Sequence, residues 1–375
     1  MKSKFLTLVL SLILLILVVG IIFFGKYIFD EFLGETSDSS VYRVDSILTE
    51  EPSETNDLYS QESSVSIGQL IQSNESQPNN TVSNSGYKNY KFFYNQLTSN
   101  QKKIYDGLQN NKNYLKQGNY VINYNDTFSE LLSKENGADI LGDDYQSAIE
   151  AFTHDNPDLF YLDVNKMYLN IETTTKMFKT KYNVYISAAN ESNYLSNEFQ
   201  STAQIEKAML EIEQIKDAIM ANLKGTDYQK ILYIHDYLIG SIEYDSTYEQ
   251  IGTYSIYGSL VAKKSVCEGY AKAFKYLLNC AGYECELMQG VATNSSGESE
   301  NHAWNCVKIN DIWYEVDVTW DDPIVIGGNG RATNEMKYKY FLKGTQSFDK
   351  DHTLEYQFSD NGRNFSYPNI SLNNY

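Results

Sequence analysis

The sequence predicts a protein of the α+β class, in which a helix that begins with a cysteine packs on an antiparallel sheet that carries a histidine and an aspartate. Three stretches carry this prediction. Residues 267–281 have the apolar spacing of a helix, residues 302–319 have the pattern of two strands joined by a tight turn, and residues 5–24 form an uncharged apolar run. The last stretch predicts one transmembrane helix. A disordered stalk and a helical region lie between this helix and the core.

Residues 5–24 are the candidate membrane anchor. They contain no charged residue, follow Lys2 and Lys4, and are long enough to cross a bilayer as a helix. A cleaved signal peptide is the alternative, but the run is longer than the apolar part of such peptides and no small-residue cleavage pattern follows it. We therefore expect residues 1–4 to form a cytoplasmic tail and the protein to be a single-pass protein of the cell membrane, with its main domain extracellular.

Two regions separate the anchor from the core. Residues 25–86 are rich in small and polar residues, so they cannot bury enough apolar area to become ordered, and we expect a flexible stalk. Residues 87–226 show short helical patterns and predict a mainly helical lead-in region. Within it, residues 168–171 and 182–186 have strand-like patterns that could pair as a hairpin. The core domain is then expected over residues 227–375.

Charge and composition limit the partners of the chain. Thirty Lys and Arg residues against 49 Asp and Glu residues give a net charge of −19, which argues against binding to nucleic acid. The sequence shows neither the Cys-x-x-Cys spacing of a zinc site nor a calcium-loop pattern, so we expect no cofactor and no metal. Cys280 and Cys285 could form a disulfide in an oxidising exterior, or both could be buried thiols like Cys306.

Cys267 is the candidate nucleophile. Apolar residues follow it at steps of three and four, and Gly282 marks the end of the helix. Cys267 therefore falls in the first turn, where unpaired N–H groups and the helix dipole favour the thiolate. The alternative is a buried structural thiol. For a nucleophile, the backbone N–H of Cys267 is a candidate oxyanion donor, and Tyr257 and Trp304 are possible side-chain donors or substrate contacts.

His302 and Asp317 lie on the two arms of the predicted hairpin. A tight turn at residues 310–311 sets Ile309 opposite Ile312, and counting outward makes His302 and Asp317 diagonal neighbours on one face. The other face is apolar and is expected to be the core. In this arrangement His302 would take and return the proton of Cys267, and Asp317 would hold the imidazole in the useful tautomer.

Other histidines and carboxylates are weaker candidates for the site. His235 and Asp236 are adjacent on a predicted helix, and adjacent helical residues do not face each other, so His235 is expected to be structural. His154 and His352 have no cluster of polar residues around them in the sequence and are expected to be surface or core histidines. Two carboxylates follow the predicted strand and lie too far from His302, namely Asp321 and Asp322.

Four motifs in this part of the chain resemble the transglutaminase-like superfamily, in a membrane-anchored form of bacterial type. They are YGSL at residues 257–260, VCEGYA at 266–271, HAWN at 302–305 and VDVTW at 316–320. The order Cys, His, Asp is that of the superfamily, so the resemblance implies a papain-like α+β core with the catalytic triad Cys267, His302 and Asp317. It covers roughly a third of the chain. Calcium activation does not carry over.

Three functions remain open at this stage. The resemblance favours an extracellular protein-glutamine gamma-glutamyltransferase, which forms a thioester with a glutamine side chain and transfers it to an amine or water. The alternatives are a cysteine peptidase or amidase with the same triad and a catalytically idle binding module of the cell surface. Residues 294–300 are expected to form an acidic mobile loop that favours an approaching amine, or else a plain hairpin connection. The expected partners are proteins or peptides with glutamine and amine groups, including cell-surface or cell-wall proteins.

Overall fold

Two antiparallel sheets of four strands, with helices packed on them, form the framework of the part of the chain that the structure describes. In this computed structural model the described residues are 38–45, 86–176, 179–189, 192–322, 333–355 and 365–375. The helices are α1 (Ser99–Asn110), α2 (Ser129–Leu132), α3 (Gly137–Asp155), α4 (Thr202–Asn222), α5 (Asp227–Ser241), α6 (Cys267–Cys280), α7 (Asn334–Lys337) and α8 (Thr345–Phe348). The strands are β1 (Asp38–Asp45), β2 (Ile122–Asn125), β3 (Met167–Lys176), β4 (Lys179–Ala188), β5 (Glu243–Tyr244), β6 (Lys264–Ser265), β7 (Cys285–Thr293), β8 (Ser299–Ile309), β9 (Ile312–Val316) and β10 (His352–Leu354).

The first sheet has the strand order β1-β3-β4-β2 and is built around the hairpin of β3 and β4. This hairpin confirms the strands predicted near residues 168–171 and 182–186. Residues 87–226 thus contain most of a sheet as well as helices, whereas the sequence predicted a mainly helical region. The difference arises because strand pairing joins segments that are distant in the sequence, which a local pattern does not reveal.

Strand β1 lies inside the predicted flexible stalk. It pairs with β3 along its whole length, from Asp38 opposite Thr175 to Asp45 opposite Tyr168. Tyr42 and Val44, two residues apart and therefore on one face, pack against the main hydrophobic cluster. This short alternation is enough to add a strand to an existing edge, although the surrounding composition is polar. The rest of the predicted stalk lies outside the described residues.

The predicted membrane helix requires a correction. In the part of the chain that the structure describes, no helix combines the length and the apolar character needed to cross a membrane. The longest described helix, α4, has 21 residues but carries charged residues along its exposed side. The predicted anchor at residues 5–24 lies outside the described residues. The α+β core stands, whereas the transmembrane helix in the predicted fold class and the predicted cell-membrane localisation with an extracellular domain are withdrawn.

The second sheet has the strand order β10-β7-β8-β9 and contains the predicted hairpin. β8 and β9 pair with Ile309 opposite Ile312, and the pairing continues to Asn305 opposite Val316, so the predicted register is confirmed. The two turn residues, at positions 310–311, have positive φ angles of 51° and 62°. Positive φ at both central residues is what a type I′ turn requires, and this turn type suits a two-residue hairpin.

Both faces of the second sheet are buried, whereas the sequence predicted a single core face. One face joins the main hydrophobic cluster, for example through Val307. On the other face, Trp304 and Cys306 form a second cluster with Tyr340 and Phe348, which follow the hairpin in sequence and cover it. The polar residues of that face are therefore enclosed by protein, and each of them needs a hydrogen-bond partner.

Helix α6 connects the second sheet to the amino-terminal region. Lys275 of α6 is buried and forms an ion pair with Glu286 of β7. The charge of Lys275 also acts on Asp155 at the end of α3, whose carboxylate accepts hydrogen bonds from the backbone N–H groups of Phe93 and Tyr94. One hydrophobic cluster runs from residue 93 to residue 365 and includes side chains from both regions.

Candidate active site

Cys267 is the first residue of α6, as the sequence predicted. The preceding Val266 is extended, and its N–H donates to the carbonyl oxygen of Thr253 at 3.1 Å. Gly269 allows this close approach, because a Cβ there would lie 1.9 Å from Ser265 Oγ and 2.6 Å from Thr253 O. The start of α6 is therefore fixed against the segment before it, and the half-buried thiol lies beside N–H groups that have no acceptor within the helix.

His302 and Asp317 form a direct hydrogen bond between buried side chains, with 2.8 Å between His302 Nε2 and Asp317 Oδ2. The Cys267 thiol lies close enough to the same imidazole to act on its protonation. Burial disfavours the charged imidazole, but the Asp317 carboxylate and the Cys267 contact outweigh it and raise the pKa of His302 to about 10. The structure thus brings the three predicted residues together, with His302 hydrogen-bonded to Asp317 and close to the thiol of Cys267.

Asp317 directly follows β9 and is held by four hydrogen bonds. Its Oδ1 accepts from the backbone N–H groups of Thr319 at 2.9 Å and Trp320 at 3.1 Å. Its Oδ2 accepts from His302 at 2.8 Å and lies 3.2 Å from His352 Nε2. Burial alone would raise the pKa of this carboxyl, but the charges and hydrogen bonds of the two histidines, His302 first, hold it below its usual range.

The rival carboxylates have other partners. Asp321 Oδ2 lies 3.1 Å from Nε2 of His235, and Asp322 accepts a hydrogen bond from the hydroxyl of Tyr270 at 2.9 Å. His235 is fully buried, and its Nδ1 lies 3.2 Å from Asp236 Oδ1. Both ring nitrogens of His235 therefore have carboxylate partners outside the predicted triad, which agrees with the structural role expected from the sequence.

His352 is the site residue that the sequence analysis missed. It was expected to have no polar cluster around it, yet its side chain is buried between two carboxylates, with Nε2 3.2 Å from Asp317 Oδ2 and Nδ1 2.9 Å from Asp351 Oδ1. β10 brings it there by pairing with β7. The adjacent Asp351 is a local hint in the sequence, but the contact with Asp317 depends on long-range strand pairing. His154, by contrast, is half-buried and packs on the ring of Phe93.

The two predicted side-chain oxyanion donors lie in different surroundings. Trp304 is fully buried next to His302, with 6.2 Å between the ring centres, and its Nε1–H donates to Glu315 Oε1 at 3.1 Å. This N–H is therefore committed to a carboxylate, and Trp304 contributes packing against the imidazole. Tyr257 packs against the rings of two aromatic residues, Phe160 and Phe199. Oxyanion donation by Tyr257 and by the backbone N–H of Cys267 stays a prediction.

Two tyrosines that no sequence motif singled out, Tyr244 and Tyr254, lie near the thiol, and Tyr248 lies close to both. Burial first, and then the charge of Cys267, raise the pKa of Tyr244, which is also close to Tyr248 and Glu300. Cys267 is among the charges that raise the pKa of Tyr254 as well, after burial. Tyr248 and Tyr254 are 57% and 50% exposed. The approach to the thiol is therefore aromatic, with a carboxylate beside it.

A buried carboxylate fixes the loop that carries two of these tyrosines. Asp245 Oδ1 accepts from the N–H and the hydroxyl of Thr247 at 3.2 and 2.7 Å. Asp245 Oδ2 accepts from the N–H of Gln250 at 2.9 Å and the hydroxyl of Thr253 at 3.0 Å. Residues 245–254 thus have a defined shape. Of the two alternatives for residues 294–300, the structure shows the plain hairpin connection, in which Asn294 Oδ1 accepts from two backbone N–H groups.

The remaining cysteines and the nearest cluster of ligand-type atoms complete the site. All four cysteines are free thiols, so Cys280 and Cys285 do not form the disulfide that the sequence left open. Burial raises the pKa of Cys280 to about 12 and raises that of Cys306 well above its ordinary value. In the described part of the chain, the group with ligand-type atoms within 4.8 Å of one another is His302, Asp317 and His352. Their mutual hydrogen bonds account for this spacing.

Comparison with known proteins gives the class of this site. Residues 213–318 match the model of the Transglutaminase-like superfamily, so the chain contains a transglutaminase-like domain that includes Cys267, His302 and Asp317. The proteins named Kyphoscoliosis peptidase of Homo sapiens and Mus musculus are 30% and 29% identical to this chain over 137 residues. This match covers 34% of the chain and 21% of each relative, so the chain spans about a fifth of their length.

The comparison with solved structures gives a weaker likeness. A crystal structure described as that of a TGase has a TM-score of 0.29 and 13% sequence identity, over 46% of this chain and 48% of that one. A structural similarity this low carries no argument about function. The class of the domain rests on the superfamily match, the curated relatives and the geometry of the site.

Proposed function

We propose that this chain is a thiol acyltransferase of the transglutaminase type, which acts on the carboxamide of a glutamine side chain. The observation that carries the proposal is the hydrogen bond between His302 and Asp317, with the thiol of Cys267 close to the same imidazole. Such an arrangement supplies a nucleophile, a proton carrier and an orienting anion side by side. The expected partners are a protein or peptide that offers glutamine and a second molecule that offers an amine.

The first step of the proposed reaction releases ammonia. The sulfur of Cys267 attacks the carboxamide carbon, the C–N bond breaks, and His302 gives its proton to the leaving nitrogen, which leaves a thioester on Cys267. The pKa of about 10 means that His302 is protonated at neutral pH, as this step requires. An imidazolium beside a cysteine also favours the thiolate form of the nucleophile.

The second step transfers the acyl group. His302, now neutral, takes a proton from an amine as its nitrogen attacks the thioester carbon, and the C–S bond breaks. The products are a secondary amide and the regenerated pair of Cys267 and His302. Asp317 keeps Nδ1 of His302 directed at the reacting atoms throughout, because two backbone N–H groups hold its other oxygen.

The surroundings of the thiol support an amine as the acceptor. Tyr254 is exposed near Cys267, with the exposed Tyr248 close to it, and tyrosine faces attract ammonium groups through cation–π interactions. Glu300 adds negative charge next to Tyr244. The chain as a whole carries a net charge of −19, which raises the local concentration of cationic substrates.

The test uses the full chain, a glutamine-bearing peptide and a labelled primary amine, analysed by mass spectrometry. We expect a mass increase equal to the amine minus ammonia, and we expect Cys267→Ala to abolish it. A peptide with asparagine in place of glutamine is the matched control for the substrate. If a broad panel of substrates gives only Cys267-dependent cleavage of peptide bonds, the acyltransferase proposal is wrong.

A cysteine peptidase or amidase is the second candidate, and the name of the human and mouse relatives favours it. The same three residues serve this reaction when water, rather than an amine, attacks the thioester. The panel described above distinguishes the two, because hydrolysis adds water to the products and leaves the amine unincorporated. If the wild-type chain forms no Cys267-dependent product of either kind, the remaining candidate is a binding module with an idle triad.

A further inference from the structure

Both ring nitrogens of His352 face carboxylate oxygens. Nε2 lies 3.2 Å from Asp317 Oδ2, and Nδ1 lies 2.9 Å from Asp351 Oδ1. A neutral imidazole has one N–H and one acceptor nitrogen, so it could satisfy only one of these contacts, and its other nitrogen would face a carboxylate lone pair. Both contacts are favourable only when His352 carries two protons and a positive charge.

The second sheet is shaped to bring His352 to the triad. Its strand order places β7 between β10, which carries His352, and β8, which carries His302. On β7, Gly290 lies opposite His302 and Ala292 lies opposite His352, so all four residues share one face. Small residues on the intervening strand leave room above it, and the two imidazole rings approach to 5.7 Å between centres. A Cβ at position 290 would lie 2.7 Å from the ring of Trp304.

The surroundings of His352 hold the ring in place and stabilise its positive charge. Four aromatic rings contact it, those of Trp304, Trp320, Tyr340 and Phe348. Burial lowers the pKa of His352, but its hydrogen bonds to Asp317 and Asp351 outweigh burial and raise it. Charged or titratable groups from four segments act on His352. They are Asp349 and Asp351 from its own segment, His302 on β8, Glu315 on β9 and Asp317 just after β9. A further cation, Lys339, pairs with Asp351.

We propose that His352 is a positioning residue of this site: as a buried cation it holds Asp317 Oδ2 toward His302 and limits how strongly His302 retains its proton. The catalytic part of this inference rests on the proposed function, because His302 must release its proton to the leaving ammonia. A carboxylate with no second cation would hold the imidazolium more tightly and make it a poorer general acid. His352 balances the two requirements, orientation and release.

Selective labelling of histidine with ¹³C tests the inference without any substrate, because the chain has only 4 histidines. In the wild-type full chain we expect the His352 resonance to be that of a doubly protonated ring at neutral pH. In His352→Gln the side chain can still donate to Asp317 but carries no charge. Two unit charges 5.7 Å apart, at an effective dielectric constant of about 20, shift a titration midpoint by about two pH units. We therefore expect the His302 midpoint to rise.

The direction of this change separates charge balance from simple support. If His352 only supported the fold, its replacement would loosen Asp317, and the midpoint of His302 would fall. A fall, no change, or a neutral His352 in the wild-type chain would each overturn the inference, and the last observation does not depend on the folding of a variant. The matched control is His235→Gln, because His235 also lies buried between two carboxylates but touches none of the triad residues in the hydrogen bonds described. The His235→Gln substitution should leave the titration midpoint of His302 unchanged.

Turnover gives the second readout. We expect His352→Gln to lower kcat by about tenfold, with an unchanged KM for the glutamine peptide, because His352 acts through Asp317 and does not line the approach to the thiol. An unchanged kcat, or a rise in KM alone, would overturn the positioning role. If the wild-type chain shows no acyl transfer while both titration results are as expected, the proposed function fails and the charge-balancing role of His352 stands.

Discussion

Replacing Asp317 with asparagine removes one charge and keeps the shape of the side chain. The asparagine oxygen can still accept from Thr319 and Trp320, so its amide nitrogen would point at His302 Nε2. An N–H at that position favours the wrong tautomer of His302, with the hydrogen on Nδ1. It also withdraws the negative charge that, against the effect of burial, raises the pKa of His302 to about 10.

The magnitude follows from the tautomer. With its hydrogen on Nδ1, His302 cannot take up a proton at that nitrogen, and an Asp-to-Asn change of this kind in a catalytic triad lowers kcat by about 10⁴. We therefore expect Asp317→Asn to lower kcat by that factor. The loss of charge should also move the alkaline decrease in activity, expected near pH 10 in the wild type as His302 loses its proton, to lower pH.

The assay is amine incorporation across a pH series, with alkylation of Cys267 by iodoacetamide as a check that the thiol is still present and accessible. Asp321→Asn is the matched control, because Asp321 is an equally buried carboxylate that contacts a different histidine, His235. If Asp317→Asn behaves like the wild type while Asp321→Asn loses activity, the assignment of the orienting carboxylate is wrong. Thermal unfolding of both variants separates loss of chemistry from loss of fold.

Three further substitutions or deletions test other parts of the structure. Cys267→Ala should abolish turnover and change the free energy of unfolding by less than about 0.5 kcal/mol, measured by urea denaturation, because the side chain removed is small and half-buried. Gly269→Ala should lower the free energy of unfolding by about 1–3 kcal/mol, because its Cβ would clash with Ser265 Oγ. The control is Gly240→Ala in α5, which should be neutral or stabilising because nothing lies within 4 Å of that Cβ position. Deleting residues 1–45 should cause more aggregation, measured by light scattering, than deleting residues 1–37, because only the longer deletion exposes the edge of β3. Equal aggregation of the two variants would show that β1 does not protect this edge.

Local patterns in the sequence were sufficient for the parts of the site that depend on short-range geometry. The turn at residues 310–311 and the alternation on either side fixed the register that makes His302 and Asp317 neighbours. The apolar spacing after Cys267 placed it at the start of α6. Both inferences use contacts between residues close in the chain, where the backbone period determines which side chains share a face.

Long-range pairing explains what the sequence did not reveal. His352 reaches Asp317 because β10 joins the sheet on the far side of β7, and no local pattern predicts which strand a three-residue segment will join. The face expected to be open is buried because residues from positions 340–348 fold back over it. The indole of Trp304 is committed to Glu315 for the same reason, since an enclosed carboxylate needs a donor.

The buried ion pair between Lys275 and Glu286, with Asp155 nearby, limits how this chain can be divided or recombined. A fragment restricted to residues 213–318, the stretch that matches the superfamily, would expose Lys275 to water on the side where α3 now lies and would lose more than half of the buried residues of the main hydrophobic cluster. We expect such a fragment to be unable to fold alone. Inheritance of the candidate active site by another protein would therefore need the amino-terminal region as well, and substitutions at Asp155 and Lys275 should be constrained to change together.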